Sequence, residues 1–245
     1  MAALPDKLRY AFTPSGGYKE GTLYSLVPND NVGNFEVVRP TSVDRINKDG
    51  EVESVPPNVP VLDYSDGGCP KLLTGADDSI TGAGDSSTFN SESGVLFADV
   101  KGEEGDLSNR RISLSDGSGT SNNRVEINFQ SDGNTLRALV GGGGVLSPTP
   151  ITNINQSIQN KIGVVYSVSG VFLWVNGLMT NSESNVNLPI GLSTLQMIGS
   201  SGTQKFIGKT KSIQHWDYLT DEEMESLTGY QSYSAMTSQF NFNTL

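Results

Sequence analysis

The chain has 245 residues, a net charge of −11, 28 glycines and a charged fraction of 18%. This length holds one large β-sandwich or two smaller domains, and the glycine content with few helix-periodic runs favours a turn-rich all-β protein. Nucleic acid and anionic membrane are not expected partners, because phosphate contacts require lysine or arginine. Membrane insertion is not expected either, since the N-terminus lacks a signal-peptide core and no apolar run could span a bilayer.

The single cysteine, Cys69, excludes an internal disulfide bond. It precedes Pro70 in a glycine-rich turn, with no neighbouring base in the sequence. We therefore interpret Cys69 as a structural thiol and not as a catalytic nucleophile.

Residues 1–75 differ from the rest of the chain in their proline content. Short apolar clusters alternate here with prolines, which remove backbone donors and disfavour helix. Within this segment, Lys48 to Glu51 predict a hairpin turn between the strands 43–46 and 52–55. We interpret residues 1–75 as an extended strap that docks on another protein. The alternative is an extension wrapped around its own domain. The prolines are Pro5, Pro14, Pro28, Pro40, Pro56, Pro57, Pro60 and Pro70.

Residues 76–230 show the pattern of a sandwich, and residues 231–245 form a C-terminal tail. The predicted strands are short apolar runs with turn signals between them. They cover residues 95–100, 110–115, 124–129, 136–140, 195–200, 205–208 and 212–218. On the strap interpretation, this domain folds without residues 1–75.

A central meander runs from Ile162 to Thr180. Asn176 and Gly177 suit a tight reversal because both tolerate positive φ. In its second strand, Phe172 and Trp174 face one side while the β-branched and aliphatic residues between them face the other. Both faces are therefore apolar, which predicts a strand between two layers.

A helix is predicted to start after Thr220. Thr220 and Glu223 have the spacing of a capping box, and Leu219 and Met224 that of a hydrophobic staple. Gly229 is placed to end the helix.

These elements resemble a known fold family. The Trp174-Val175-Asn176-Gly177 strand end, followed by a last strand running into the capped helix, is similar to the laminin G-like, concanavalin A-like jelly roll over residues 85–230. The resemblance implies an all-β jelly-roll sandwich with an extended N-terminal segment and a short C-terminal helix.

The N-terminal segment carries a second resemblance. The stretches 25–30, 33–50, 60–65 and 69–73 resemble the leader of bacteriophage virion proteins, and the pattern departs from longer relatives at Gly75. The resemblance implies a tail, fibre or head-decoration protein, made in the bacterial cytoplasm and located in the virion. Its expected partners are capsid or tail proteins bound through residues 1–75, a homotrimer of the chain and a glycan on the host surface.

Catalytic residues are not assigned by the sequence. Glycosidases of this fold carry alternating carboxylates on one strand, whereas here Glu126 alternates with the amides Asn128 and Gln130. An amide cannot ionise, so we expect no enzyme and interpret this face as polar and solvent-exposed. A glucanase-like or carbohydrate-binding protein is the alternative. Glu103, Glu104 and Asp106 are interpreted as a solvated turn.

The remaining polar candidates also have structural interpretations. His215 lacks a second histidine or a nucleophile and is predicted to be a satisfied structural residue. No cofactor is expected, although laminin G-like domains imply rim calcium, for which loop carboxylates are available. A glycan platform formed by Trp216 or Tyr218 and packing under the helix are both compatible with the sequence. The loop carboxylates are Asp77, Asp78, Asp85, Asp106 and Asp116.

Overall fold

A computed structural model gives the fold. It describes residues 7–12, 84–103 and 108–229, together with short strands between Tyr18 and Thr74. Side chains are described for residues 7–10, 84–103 and 108–229. Cys69, Asp77, Asp78, Glu104, Asp106 and the tail 231–245 lie outside these residues.

Twenty strands and one helix are described. The strands before the central region are β1 (Leu8–Phe12), β2 (Tyr18–Lys19), β3 (Thr22–Leu23), β4 (Ser25–Leu26), β5 (Phe35–Glu36), β6 (Val43–Ile46), β7 (Val52–Val55), β8 (Val61–Asp63) and β9 (Lys71–Thr74). The others are β10 (Gly94–Gly102), β11 (Arg110–Ser115), β12 (Arg124–Phe129), β13 (Thr135–Gly142), β14 (Val145–Leu146), β15 (Ile151–Asn153), β16 (Asn160–Ser167), β17 (Gly170–Val175), β18 (Leu178–Glu183), β19 (Thr194–Gln196) and β20 (Gly208–Trp216). The helix is α1 (Asp221–Gly229).

Two antiparallel sheets form the sandwich. The larger sheet has nine strands in the order β18-β17-β16-β10-β20-β1-β4, with β9 paired to β20 and β8 paired to β9. The smaller sheet has six strands in the order β14-β13-β12-β11-β19, with β15 paired to β13. β2, β3 and β5 form a separate three-stranded sheet, and β6 pairs with β7. The predicted strands 110–115 and 124–129 and the predicted hairpin 43–55 are confirmed.

The main core lies between the two sheets because inward positions alternate with outward ones along each strand. Leu96 and Val164 of the larger sheet and Ile112 and Ile127 of the smaller sheet belong to one fully buried cluster. All inward residues of β12 are apolar, while its outward residues are charged or polar. The polar side chains of β12 therefore lie on the outer side of the smaller sheet.

The central meander lies between two layers, as predicted. Val171, Leu173 and Val175 pack into the main core. Trp174, on the opposite face of β17, joins a second cluster with Met224 and other residues of the helix layer. Asn176 and Gly177 have φ of 51° and 89°, which confirms the reversal between β17 and β18.

Helix α1 covers the outer face of the larger sheet. Its N-terminus has the predicted capping box: the Thr220 backbone N–H donates to Glu223 Oε2 at 2.8 Å, and the Glu223 N–H donates to Thr220 Oγ1 at 3.3 Å. Leu219 and Met224 belong to the same buried cluster, consistent with the predicted staple. No helix among the described residues is long and apolar enough to cross a membrane.

Strands from the N-terminal segment belong to the larger sheet. β1 pairs with β20 so that Leu8 lies opposite Trp216, and β9 pairs with the other end of β20. The sheet therefore crosses the boundary expected between residues 75 and 76, because β20 satisfies its backbone groups with strands from both sides of it. For these strands, the structure follows the alternative in which the segment wraps around its own domain.

A buried ion pair fixes the N-terminal segment to the helix. Lys7 Nζ donates to both carboxylate oxygens of Glu223 at 2.7 Å, and the side chains of Lys7 and Glu223 are 0% and 7% exposed. The Lys7 ammonium also lies 4.3 Å from the ring centroid of Tyr218. Glu223 thus caps α1 and neutralises Lys7 with the same carboxylate.

Candidate functional site

The outer face of the six-stranded sheet carries a concentration of polar side chains. Arg111 on β11, Asn128 on β12 and Arg137 on β13 lie opposite one another in register. Neighbouring strands are about 4.8 Å apart, so the α-carbons of the two arginines are roughly 10 Å apart. Glu126 and Arg124 follow on the same face of β12, because side chains alternate along a strand. We call these five residues the polar sheet face.

Glu126 is the electrostatic centre of this face. Its Oε2 accepts from Arg111 Nη1 at 3.0 Å and lies 3.4 Å from Arg124 Nε, while its Oε1 accepts from the Ser200 backbone N–H at 2.8 Å. The side chain is 0% exposed. Its oxygens are therefore already occupied by protein donors, which leaves Glu126 poorly placed to act as a nucleophile or a proton donor.

A loop between β19 and β20 covers part of the face. Ser113 Oγ donates to the Ile198 carbonyl, and the Arg111 backbone N–H donates to the Gln204 carbonyl at 3.0 Å. Glu126 and Asn128 are consequently buried. The expectation of a solvent-exposed polar strand face was wrong, because the loop and the arginine side chains exclude water from β12.

The polar sheet face has more positive than negative side chains. Burial lowers the pKa of Arg124; the Glu126 carboxylate raises it and the Arg111 guanidinium lowers it. The Nε atoms of Arg111, Arg124 and Arg137 are buried without a hydrogen-bond partner. Arg137 has no ion pair among the described residues. Three guanidinium groups and one carboxylate give the face a local charge of about +2 in a chain whose net charge is −11.

An open polar cleft adjoins the polar sheet face at the end of β13. Thr135 on β13 lies opposite Asn153 on β15, and the next pair on that face is Arg137 and Ile151. Side chains two residues apart along a strand are about 6.8 Å apart, so Arg137 is the next residue after Thr135 on the same face of β13. Ile151, which lies opposite Arg137 in register, is exposed. The cleft has a volume of about 720 Å³ and is lined by Asp132, Asn134, Thr135, Asn153, Ile154 and Asn155.

Asp132 shapes this cleft through its own turn. Its Oδ1 accepts from the backbone N–H groups of Asn134 and Thr135 at 2.9 and 2.7 Å, and its Oδ2 accepts from Thr135 Oγ1. The hydrogen bond from the Thr135 hydroxyl, followed by those from the backbone, lowers the pKa of Asp132. Asp132 is therefore a carboxylate that holds the rim of the cleft, while the Asn153 side chain is exposed.

His215 is fully buried, and only one of its two ring nitrogens has a hydrogen-bond partner, whereas the sequence predicted a fully satisfied structural histidine. Tyr166 Oη donates its single proton to the Asn90 carbonyl at 2.6 Å, so His215 Nε2, at 3.0 Å, is the donor to the Tyr166 oxygen. Nδ1 is then an acceptor, and it has no hydrogen-bond partner. Phe89 packs edge-on against the imidazole with ring centroids 5.2 Å apart. Protonation would place an unpaired N–H in this apolar site, which disfavours the imidazolium.

We expect His215 to make the fold acid-sensitive. Burial lowers the pKa of His215 from 6.5 to about 3. The unfolded state therefore binds more protons between these values, and the free energy of unfolding decreases as pH falls from 6.5 towards 3. At pH 4.5 the loss is about 2–3 kcal/mol relative to pH 7. Urea unfolding at pH 7 and at pH 4.5 measures this loss of stability.

The control for this pH dependence is His215→Gln, which keeps a donor for Tyr166 and removes the titrating group. We expect its stability to change less between pH 7 and pH 4.5 than that of the wild type. Equal slopes for the two proteins would contradict the assignment to His215.

Other candidates from the sequence have local structural roles. Asp85 Oδ1 accepts from Ser87 and Thr88, and the Ser87 hydroxyl is the largest cause of its lowered pKa. Asp116 accepts from the Ser118 hydroxyl and backbone N–H within its own turn. Glu103 is exposed. No group of three or more potential metal ligands occurs among the described residues.

The two aromatic candidates differ in exposure: Trp216 is buried, and Tyr218 is 47% exposed. Trp216 is buried in the helix layer, and its Nε1 donates to Gln214 Oε1 at 3.0 Å. Tyr218 lies beside the Lys7 ammonium. Packing under the helix, the second of the two sequence interpretations, is therefore the role of Trp216.

Arg111, Arg124 and Arg137 were not singled out by the sequence interpretation. Their signal was nevertheless present: each falls on a predicted strand at a position that alternates with the apolar residues facing the core. The register that brings them onto one face depends on sheet pairing and could not be read from the alternation alone.

The sequence matches no protein-family model and no curated protein. Among solved structures, domain 4 of AbnA, a GH43 extracellular arabinanase from Geobacillus stearothermophilus solved in complex with arabinotriose, aligns over 91% of this chain and 98% of its own, with 12% identity and a TM-score of 0.59. The CBM40 of a Ruminococcus gnavus IT-sialidase aligns over 57% and 84%, with 14% identity and a TM-score of 0.47. The NanB sialidase of Streptococcus pneumoniae aligns over 60% and 27%, with 17% identity and a TM-score of 0.46.

The likeness to the arabinanase domain agrees with the two-layer antiparallel topology. The chain has an all-β, concanavalin A-like jelly-roll sandwich fold with one short helix among the described residues. The predicted fold class is confirmed. At 12% identity the likeness establishes the fold and nothing about the ligand.

Proposed function

We propose that this chain is a non-catalytic carbohydrate-binding domain. The observation that carries the proposal is the continuity between the polar sheet face and the amide-lined cleft at the end of β13. Amide, hydroxyl and guanidinium groups are the donors and acceptors that match the hydroxyls of a sugar. The arabinanase domain with the same fold was solved with arabinotriose, which is compatible with this use of the sandwich.

The cleft suits a sugar because it combines polar and apolar contacts. Asn153 and Asn155 supply amides at the rim. Ile151, two residues before Asn153 on β15, is exposed and offers an apolar surface next to the cleft for the C–H face of a ring. A ligand site of this kind has few polar groups, each fixed in orientation by the scaffold. Here the turn of Asp132 and the pairing of β13 with β15 fix them.

Hydrolysis is not part of the proposal. Glycoside hydrolysis requires two carboxyl groups on either side of the scissile bond, one of them able to donate a proton. Glu126 is engaged by two arginines and a backbone N–H, and Asp132 is held ionised by its own turn. Neither carboxyl group is therefore available as the proton donor that hydrolysis requires.

Binding to an array of oligosaccharides, followed by calorimetry on the positives, tests the proposal. We expect Asn153→Ala to weaken binding about 5- to 10-fold, since it removes roughly 1 kcal/mol of hydrogen bonding. Asn187→Ala, an exposed asparagine outside the cleft, is the control. A chain that binds no glycan, or a ligand insensitive to Asn153, would contradict the proposal.

A virion location is a second candidate, supported by the leader resemblance of residues 25–73. The hairpin β6–β7 and the three-stranded sheet β2-β3-β5 do not join either layer of the sandwich. We propose that these two units are the parts available for docking on a capsid or tail protein. A display role would present the glycan-binding face to the host surface.

Mass spectrometry of purified phage particles from the source culture tests the location. Peptides of this chain are expected at a fixed ratio to the major capsid protein. Their absence from intact particles would exclude a virion role and leave the carbohydrate-binding proposal intact.

A further inference from the structure

The polar sheet face has an unbalanced positive charge, which the hydroxyls of a neutral sugar could not neutralise. Arg111 and Arg124 share the single carboxylate of Glu126, and Arg137 has no acidic partner among the described residues. The Nε of Arg137 is buried without a hydrogen bond. Arg137 as a whole is half-buried, so its attraction for a bound anion would be screened less by water than that of a fully exposed arginine.

The position of Arg137 connects this charge to the cleft. Its neighbour across β15 is Ile151, and its neighbour across β12 is Asn128. A ligand bound over Thr135 and Asn153 that extends along β13 would therefore place a substituent near the guanidinium of Arg137. Resting on the carbohydrate-binding function, we propose that the ligand is an acidic glycan whose carboxylate is bound by Arg137.

A carboxylate fits better than a neutral hydroxyl at this position. Guanidinium groups bind planar carboxylates through two parallel N–H···O bonds, which neutral hydroxyls cannot reproduce. Arg111 and Arg124 add positive potential from the neighbouring strands, because the face is shielded from water by the loop between β19 and β20. The surrounding protein is acidic, so the positive region is local and directs an anion to one place.

Calorimetry on the full chain with matched ligand pairs tests the inference. Trigalacturonic acid is compared with its methyl ester, and sialyllactose with lactose, so that the two arms distinguish uronic from nonulosonic acids. We expect one acidic ligand to bind at least 10-fold more tightly than its neutral counterpart. Raising the salt concentration from 50 mM to 500 mM is expected to reduce that difference.

Arg137→Gln is expected to abolish the preference for the acid, because glutamine carries no charge to bind the carboxylate. Arg137→Lys retains the positive charge but lacks the two parallel N–H donors of the guanidinium. It is expected to keep only part of the preference for the acidic ligand. Lys101→Gln removes one positive charge at the end of β10 and is the control, expected to behave as the wild type. Unchanged near-ultraviolet circular dichroism of each variant establishes that it is folded.

The outcomes separate this inference from the function on which it rests. Equal binding of acidic and neutral ligands, with loss in Asn153→Ala, would overturn the acidic-glycan inference and retain carbohydrate binding. Equal binding of inorganic sulfate would also overturn it, since a general anion site needs no sugar. An absence of binding by any glycan would overturn both.

Discussion

Deletion of residues 1–75 is expected to leave a chain without a cooperative unfolding transition. The deletion removes β1 and β9, so that β20 in the middle of the larger sheet loses its partners on one side. It also removes Tyr10, which is fully buried in the main core, and Lys7, the partner of Glu223. Burial of one such aromatic contributes about 2–3 kcal/mol, and an uncompensated buried carboxylate costs about 3–5 kcal/mol. Together these losses approach the whole stability of a typical domain.

Lys7→Met isolates the ion pair from the sheet pairing. We expect it to reduce the free energy of unfolding by about 3–5 kcal/mol, because Glu223 remains buried without its ammonium partner. The double variant Lys7→Met/Glu223→Gln removes both charges and is expected to recover most of that loss, with the capping bond to the Thr220 N–H retained. Urea unfolding of the wild type, Lys7→Met, Glu223→Gln and the double variant gives the coupling energy.

Lys101→Met, at the half-buried end of β10, is the control for loss of a lysine and is expected to lie within about 0.5 kcal/mol of the wild type. A chain of residues 76–245 that melts as the wild type would show that the sandwich folds alone. A Lys7→Met variant with wild-type stability would show that the ion pair is not needed.

The features that the sequence predicted well depend on local chemistry. The capping box of Thr220 and Glu223 involves residues three apart, and the reversal at Asn176 and Gly177 is set by two adjacent residues. Strands β11 and β12 have the predicted limits because apolar and polar residues alternate throughout β12 and from Arg111 onwards in β11. Each of these features is therefore determined by residues that lie close together in the sequence.

The features that the sequence did not predict depend on long-range pairing. Leu8 lies opposite Trp216, and Lys7 reaches Glu223 from 216 positions away, with nothing near residue 7 to indicate it. Glu126 was correctly placed on the polar face of its strand, but its burial comes from Ser200 and its charge balance from Arg111. Alternation distinguishes the core side from the other side, and it does not show that a loop covers the other side.

Glu126→Gln is expected to destabilise the fold by about 3–5 kcal/mol, and this is the second large effect. The side chains of Arg111 and Arg124 are only 17% and 13% exposed, so two guanidinium groups would lose the carboxylate that neutralises them. Glutamine has a similar shape and still accepts a hydrogen bond from the Ser200 N–H. The loss of stability therefore measures the removal of the charge. Urea unfolding at pH 7 measures it, with Glu92→Gln on the exposed loop before β10 as the matched control.

The same variant separates a structural carboxylate from a catalytic one. A structural Glu126 predicts lower stability in Glu126→Gln and no release of reducing sugar by the wild type from glucans or acidic glycans. A catalytic Glu126 predicts the reverse: hydrolysis by the wild type that disappears in the variant, with stability unchanged. Because both oxygens of Glu126 already bind protein donors, we expect the first result.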